Sequence, residues 1–434
     1  MSDETTIAVA GTPRRCRGEG MGLSSLISRS QYRSSLIAVL KLASTASLLA
    51  FIPGVSSAQA IPFTYDDARL FVPVHVDDDT TTYWFILDTG AQPTIVDANV
   101  AAALGLRVRE AGSTTGAGTH SLRQGRTEGV SLRVGDVALG PMEVRASEID
   151  SLLAPSQGRA APGIIGSRFF MEHIVEIDFG SSLVRVHAPD GWRYEGNGIV
   201  LPLTLDNGVP MISGQMTAPD GDVIPMRLLV DLGAKSTLLV AEPFIEKHEL
   251  TRRFRKTVTS PLGAGVGGAT RYAFTRVPRL TLGSGRGALP TDSLVAGLSV
   301  GGTLRSTWYD ALLGADFLRR FRVIFDYPHH QLILEPRTPA VALAEYDMSG
   351  MFLLAEGADR LTYVVRELVR GGPADQAGIA VGDKLVSLDG QPTAAITLGS
   401  VRQRLKAGDG REMRVEVARG GRRSVRVVRL RRLL

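Results

Sequence analysis

The fold of this 434-residue chain is decided by a sequence pattern that occurs twice, as Phe85-Ile86-Leu87-Asp88-Thr89-Gly90-Ala91 and as Leu228-Leu229-Val230-Asp231-Leu232-Gly233-Ala234. In each copy an apolar stretch of strand length leads into an acid, and a glycine follows two positions later. Short apolar runs that end at a turn signal are typical of buried strands. The duplication predicts that the chain contains two copies of one structural unit.

The repeat extends well beyond these two stretches, over about residues 71–186 and about residues 211–334. Both units show an extended segment, the acid-bearing strand, a threonine six residues after the acid, a helix pattern and a glycine-rich turn. Both then close with an apolar pair and a glycine, Ile164-Ile165-Gly166 and Leu312-Leu313-Gly314. This common order predicts a mainly β fold with two lobes.

The two acids suggest a chemical use for the repeat. Hydrolysis of a peptide bond without a metal or a covalent intermediate needs a base that activates water and an acid that protonates the substrate. Two carboxyls held side by side supply both, because like charges so close cannot both ionise and therefore share a proton. We expect Asp88 and Asp231 to form such a catalytic pair, with no cofactor and no metal.

The residues beside each acid are suited to hold this geometry. Gly90 and Gly233 allow a tight turn behind the carboxyl and present amide donors without a side chain in the way. Thr89 carries a hydroxyl that can bond to the other loop and fix the distance between the acids. Leu232, at the matching position, has no hydroxyl, so the predicted brace between the loops is at best one-sided.

The segment Asp88-Thr89-Gly90-Ala91-Gln92-Pro93-Thr94-Ile95, with Ile164-Ile165-Gly166 after it, resembles the active-site and closing motifs of retropepsin-like aspartic proteases. The two fused copies resemble the bilobal, acid-protease β-barrel arrangement of pepsin-type enzymes over about residues 62–336. The resemblance implies an aspartic-type endopeptidase that acts on polypeptides through Asp88 and Asp231. It also implies a flap over the substrate, formed by Gly116, Ala117, Gly118, Thr119 and His120.

Two departures from the family pattern bear on activity. Leu232 stands where the family has threonine or serine, which leaves open a catalytically inactive peptide-binding protein of the same fold. A homodimer that works through Asp88 alone is a further alternative. Ala91 and Ala234 stand where pepsin-type enzymes often have a hydroxyl, so the pair is expected to keep its shared proton to higher pH and to act in milder acid than pepsin.

The C-terminal part resembles a PDZ domain, a small β-barrel with helices. The resemblance rests on Gly372-Pro373-Ala374-Asp375-Gln376-Ala377-Gly378-Ile379 and on the stretch from Val381 to Gly390. It implies binding of a peptide C-terminus or an extended strand, for substrate recruitment or autoinhibition. Ser349, Gly350, Met351, Phe352 and Leu353 stand where the family has its carboxylate-binding loop, although the usual Gly-Leu-Gly-Phe order is not kept.

The first sixty residues have the features of an export signal. Arg29 and Arg33 precede a largely apolar run over residues 36–52, and Ala58-Gln59-Ala60 offers a cleavage site. We expect an exported protein, periplasmic or secreted, attached to a membrane only if this leader is retained. The single cysteine, Cys16, lies in the leader, so the mature chain would have no disulfide.

The charge of the chain does not indicate nucleic acid as a partner. The leader contributes +3 of the formal net charge of +5, and the remaining excess is too small for such a surface. The predicted organisation is an export signal or N-terminal anchor at residues 1–60, protease lobes at 61–195 and 196–336, a linker at 337–346 and a PDZ domain at 347–434.

Overall fold

The computed structural model describes residues 58–434, apart from residues 115–117, 119, 266, 302–303 and 407. The described part is mainly β with barrel-like sheets, so the predicted fold class is confirmed. Most of the predicted export signal, and Gly116, Ala117 and Thr119 of the predicted flap, lie outside the described residues. Among the described residues, no helix combines the length and the hydrophobicity needed to cross a membrane.

The first lobe is built on an eight-stranded sheet that closes on itself. Its elements are β1 (Gln59–Pro62), β2 (Thr64–Asp66), β3 (Arg69–Val76), β4 (Tyr83–Leu87), β5 (Ile95–Asp97), α1 (Ala98–Ala103), β6 (Arg109–Thr114), β7 (Leu122–Val134), β8 (Val137–Ser147), α2 (Ile149–Gln157), β9 (Gly163–Ile165), α3 (Arg168–Glu172), β10 (Ile174–Asp178) and β11 (Leu183–His187). The sheet order is β2-β3-β4-β9-β5-β8-β7-β6, and a further pairing of β3 with β7 closes the barrel.

The second lobe repeats this plan. Its elements are β12 (Ile199–Pro202), β13 (Thr204–Asp206), β14 (Val209–Thr217), β15 (Val223–Asp231), β16 (Leu238–Val240), α4 (Glu242–Lys247), α5 (Leu250–Arg253), β17 (Val258–Gly265), β18 (Gly268–Leu282), a 3-10 turn (Gly285–Gly287), β19 (Leu289–Ser299), β20 (Ala311–Gly314), α6 (Ala315–Leu318), β21 (Phe321–Asp326) and β22 (Gln331–Pro336). The order β13-β14-β15-β20-β16-β19-β18-β17, with β14 also paired to β18, is that of the first lobe.

The acid-bearing strands are buried because they run in the interior of each sheet. β4 pairs in parallel with β9, and β15 pairs in parallel with β20. Parallel strands covered on both faces have continuous apolar sequences. Phe85-Ile86-Leu87 and Leu228-Leu229-Val230 are accordingly all at most 3% exposed. The duplicated apolar stretch thus fixes where each acid leaves its sheet.

A third, six-stranded sheet joins the lobes, in the order β1-β11-β10-β21-β22-β12. Its central pair is antiparallel, with Val175 opposite Phe325 and Ile177 opposite Val323. These four side chains belong to one hydrophobic core that continues through both lobes. The shared sheet therefore fixes the orientation of one lobe against the other.

The C-terminal unit has its own sheet and its own core. Its elements are β23 (Met351–Glu356), β24 (Thr362–Leu368), α7 (Pro373–Gln376), β25 (Lys384–Leu388), β26 (Gln391–Pro392), a 3-10 turn (Thr393–Ala395), α8 (Leu398–Leu405), β27 (Glu412–Arg419) and β28 (Arg422–Arg429). The order is β23-β24-β25-β27-β28, with β26 beside β25, so β23 is an edge strand. The domain bounds given above stay predictions.

Candidate active site

The two acids occupy equivalent positions at the ends of equivalent strands. Asp88 follows β4 directly, and its amide donates to Ile165 O in β9 at 3.0 Å. Asp231 is the last residue of β15 and lies opposite Gly314 of β20. Both loops therefore leave a central parallel strand pair at the same level. The fold thus brings together two carboxyls that lie far apart in the sequence, and a hydrogen bond joins their side chains.

Backbone amides hold each carboxyl from behind. Gly90 N donates to Asp88 Oδ1 at 2.8 Å, and Gly233 N donates to Asp231 Oδ1 at 2.8 Å. Ala234 N adds a second bond to Asp231 Oδ1 at 3.1 Å. A carboxylate held in this way keeps one orientation without needing a charged partner.

Each glycine also packs against the acid of the opposite lobe. A Cβ added to Gly90 would lie 2.7 Å from Asp231 Cγ, and one added to Gly233 would overlap Asp88 Oδ2. Any other residue would push the two carboxyls apart. The close approach of the loops, rather than an unusual backbone conformation, therefore requires glycine here.

The electrostatics of the pair follow from burial and proximity. Burial raises the pKa of Asp88, and the hydrogen bond from Asp231 and the Gly90 amide lower it in part. Burial raises the pKa of Asp231 well above its ordinary value, and the charge and hydrogen bond of Asp88 raise it further. Such a pair binds one proton between its two carboxyls and titrates as a unit.

A buried brace links the two loops on one side. Thr89 Oγ1 donates to Val230 O at 2.7 Å and accepts from Leu232 N at 2.9 Å. Both Thr89 and Leu232 are 0% exposed. The Leu232 side chain packs in the continuous core of the lobes, so it leaves the acids uncovered while its backbone takes part in the brace.

The closing motifs pack against the backbone of the acid-bearing loops. Ala91 O accepts from Ser167 N at 2.9 Å, and Ala234 O accepts from Ala315 N at 3.0 Å. A Cβ at Gly166 would lie 2.8 Å from Ala91 O, and one at Gly314 would lie 2.7 Å from Ala234 O. The glycine that closes each unit thus lets the acid-bearing loop pack on the end of its own sheet.

Arg69, the first residue of β3, is a buried cation at this site. Its side chain donates from Nη1 to Gln157 Oε1 at 2.6 Å and from Nε to Gly233 O at 3.4 Å. Burial lowers the pKa of Arg69, and the acids around it raise it. In turn the guanidinium lowers the pKa of Asp88 and favours its ionised form. Sequence reasoning missed Arg69 because no motif surrounds it.

A cavity of about 190 Å³ lies against both acids. Apart from Arg69, Lys235 and the acids, its lining is mostly apolar, with Ile86, Ile95, Leu153, Ile164, Leu239 and Leu312. Leu262 and Tyr272, from the β17–β18 hairpin of the second lobe, close part of it. The cavity therefore combines an apolar enclosure with a polar centre.

The predicted flap lies in the connection between β6 and β7. His120 N donates to Gly267 O at 2.8 Å, and Gly118 packs so closely that an added Cβ would overlap Gly267. Gly267 lies at the turn of the β17–β18 hairpin, which is the counterpart in the second lobe. The sequence predicted a flap from the first lobe only, whereas the described residues show two equivalent hairpins that meet.

The predicted peptide-binding residues of the C-terminal unit lie at the start of edge strand β23. Their amides already have partners within the loop. Ser349 N and Gly350 N donate to Asp347 Oδ1 at 2.8 and 2.6 Å, and Met351 N donates to Ser349 Oγ at 3.1 Å. Phe352 and Leu353 follow within β23.

Comparison with protein families gives two matches. Residues 72–169 match the family described as aspartyl protease, and residues 364–419 match the PDZ domain. The first match includes Asp88. The lobe that carries Asp231 lies outside this match, and its strand order is the same as that of the first lobe. A comparison with curated proteins found no match. The chain is therefore similar to the aspartyl protease family over most of its first lobe and to the PDZ family over much of its C-terminal unit.

Proposed function

We propose that the chain is an aspartic-type endopeptidase in which Asp88 and Asp231 activate one water molecule. The observation that carries the proposal is the pair itself. Two half-buried carboxyls from equivalent loops are joined by a hydrogen bond, and backbone amides fix both. Pairs of titratable groups with shifted pKa values are typical of acid–base catalysis.

The proposed reaction uses one proton shared by the pair. The ionised carboxyl takes a proton from water, and the water oxygen attacks the carbonyl carbon of the peptide bond. The protonated carboxyl gives its proton to the carbonyl oxygen, which yields a tetrahedral diol. The C–N bond then breaks as the nitrogen receives the proton that water gave up, and one hydroxyl of the diol returns a proton to the other carboxyl. The products are a carboxylic acid and an amine, and the pair again shares one proton.

The proposed substrate is an extended polypeptide. The cavity beside the acids is lined mostly by aliphatic side chains, which favours apolar residues on both sides of the cleaved bond. The two hairpins that meet through His120 and Gly267 would cover the bound chain and exclude water. We also propose that the protein is exported and that it is attached to a membrane only if its leader is retained.

A second candidate, a peptide-binding protein without catalysis, rests on Leu232. The brace that a threonine would make from that position is absent. Thr89 nevertheless makes both of its own bonds across the lobes, and the Leu232 side chain is buried away from the cavity. The pair keeps its acids and its amide donors, so the enzyme is the better supported proposal.

Digestion of denatured casein from about pH 3 to about pH 7 tests the proposal. We expect the purified chain to cut casein in mild acid and the Asp88→Asn variant to be inactive. Cleavage that survives the substitution would show that a contaminant is responsible. No cleavage at any pH would support the peptide-binding alternative. Resistance to pepstatin would decide neither way, because the paired hairpins differ from a single pepsin flap.

A further inference from the structure

The PDZ unit presents an unpaired strand edge beside a helix. Among the described strands β23 pairs only with β24; α2 of the first lobe packs against β23, and α8 lies across a cavity of about 410 Å³. An edge of this kind can accept a further extended strand. The cavity is also lined by Asp66, Asp67 and Lys235 of the protease lobes, so the groove opens towards the protease.

The loop at the head of this groove is poorly suited to a free carboxyl terminus. A terminal carboxylate is held by unpaired backbone amides. Here the Asp347 carboxylate already accepts from two of these amides and the Ser349 hydroxyl from the third, as described above. A peptide terminus would have to displace the chain's own carboxylate. The matched PDZ segment, residues 364–419, begins after this loop.

Arg402 of α8 reaches across the groove. Its Nη2 donates to Leu353 O of the edge strand at 2.7 Å, and its Nη1 donates to Ser156 O at the end of α2 at 2.7 Å. Nη1 also pairs with Asp67 Oδ2, from the turn between β2 and β3. The guanidinium therefore caps the strand edge while a carboxylate of the first lobe holds it.

The contact is built from buried and charged groups on both sides. Asp67 and Arg402 side chains are 14% and 16% exposed. Burial raises the pKa of Asp67, but Arg402 and Lys235 lower it more, to about 2, so Asp67 is a carboxylate. Thr397 Oγ1 donates to the neighbouring Asp66 Oδ1 at 2.9 Å. Two consecutive acids of one turn thus dock on α8.

We infer that the PDZ groove recognises an internal acidic segment rather than a free carboxyl terminus, and that Asp67 occupies the acidic position in cis. An added strand must draw Arg402 away from Leu353 O. A guanidinium that is only 16% exposed favours another carboxylate when it loses Asp67, because a charge largely withdrawn from water is unfavourable when unpaired. A partner strand with an acidic side chain meets this need, whereas a neutral strand does not.

The same carboxylate connects the groove to the active-site loop. Lys235 Nζ also pairs with Asp67 Oδ2, and Lys235 directly follows Ala234, whose amide binds Asp231. A partner that displaces Asp67 from Arg402 therefore changes the contacts of that loop. The binding inference itself rests on the PDZ unit and does not depend on hydrolysis.

Fluorescence anisotropy with a peptide copy of residues 62–71 tests the inference. The probe carries an N-terminal fluorescein and an amidated C-terminus, and every protein is the full chain with Asp88→Asn, so that no probe is consumed. A variant that also carries Asp67→Asn lacks the carboxylate that competes with the probe from within the chain. Asn207 occupies the matching turn of the second lobe with φ 50°, against 46° at Asp67, so asparagine suits this backbone. Asp206→Asn, in that second turn, is the matched control.

We expect Asp67→Asn to bind the probe about tenfold more tightly than the parent and Asp206→Asn to bind it equally. A free carboxyl terminus on the probe should change its Kd by less than about twofold, whereas asparagine in place of its second aspartate should weaken binding about tenfold. In the Arg402→Gln variant, the probe with its second aspartate and the probe with asparagine in that place should bind equally. Equal binding by the parent and Asp67→Asn, or no binding at all, would overturn the inference. A probe that needs its free terminus would show ordinary C-terminal recognition instead.

Discussion

Thr89→Val removes the hydroxyl brace that Thr89 makes between the two acid-bearing loops. Valine keeps the shape of threonine but leaves Val230 O and Leu232 N buried without their partner. Both Thr89 and Leu232 are 0% exposed, so water cannot replace the hydroxyl. A buried polar group left unpaired costs about 1–3 kcal/mol, so two of them should lower the free energy of unfolding by roughly 2–6 kcal/mol.

Urea unfolding and peptidase assays measure the two consequences separately. The brace fixes the spacing of the acids, so kcat/KM should fall at least about tenfold, even where the variant is fully folded. Thr89→Ser keeps the hydroxyl and should retain most of the stability and activity. If Thr89→Val unfolds within about 0.5 kcal/mol of the parent, the buried brace does not hold the lobes as described.

Substitutions at Gly90, Arg69 and Asp67 test further contacts of the structure. Gly90→Ala places a methyl 2.7 Å from Asp231 Cγ and should lower kcat/KM at least about a hundredfold; unchanged activity would contradict the packing. Arg69→Gln removes a cation that lowers the pKa of Asp88, so the acid limb of the kcat/KM profile should move to higher pH, whereas Arg69→Lys should leave it in place. The pKa of Asp67 is lowered from 3.8 to about 2, so its stabilising contribution is present above pH 3.8 and is lost as the pH falls through about 2. Asp67→Asn should accordingly lose less urea stability on acidification than the parent, and equal losses would exclude this pairing.

Local features of the structure were predictable from the sequence because neighbouring residues determine them. Asp97 stands directly before the helix pattern, where an acid is a typical N-cap, and Asp97 Oδ1 accepts from Asn99 N at 2.9 Å. Proline is favoured in the first turn of a helix, and Pro243 lies there in α4. No helix pattern follows the glycine-rich stretch at residues 263–268, which favours a hairpin over a dinucleotide loop, and Gly265 pairs with Gly268 across its turn.

The remaining features depend on contacts between distant parts of the chain. Arg69 begins an ordinary strand, and only the folded lobes bring it to Gly233. Asp67 and Arg402 form an ion pair although most of the chain separates them in the sequence, so no local sequence pattern predicts this contact. The hairpin of the second lobe was not predicted to lie over the cavity, because its contact with the first hairpin through Gly267 joins distant parts of the chain.

The central claim is that Asp88 and Asp231 of one chain act as a single hydrolytic pair. The most direct measurement compares kcat/KM of the Asp231→Asn variant with that of the parent, on a quenched fluorescent peptide with apolar residues beside the cleaved bond. The account predicts a loss of at least about a thousandfold with the native mass unchanged. Activity within about twofold of the parent would contradict it and would place the chemistry on Asp88 alone, in a homodimer.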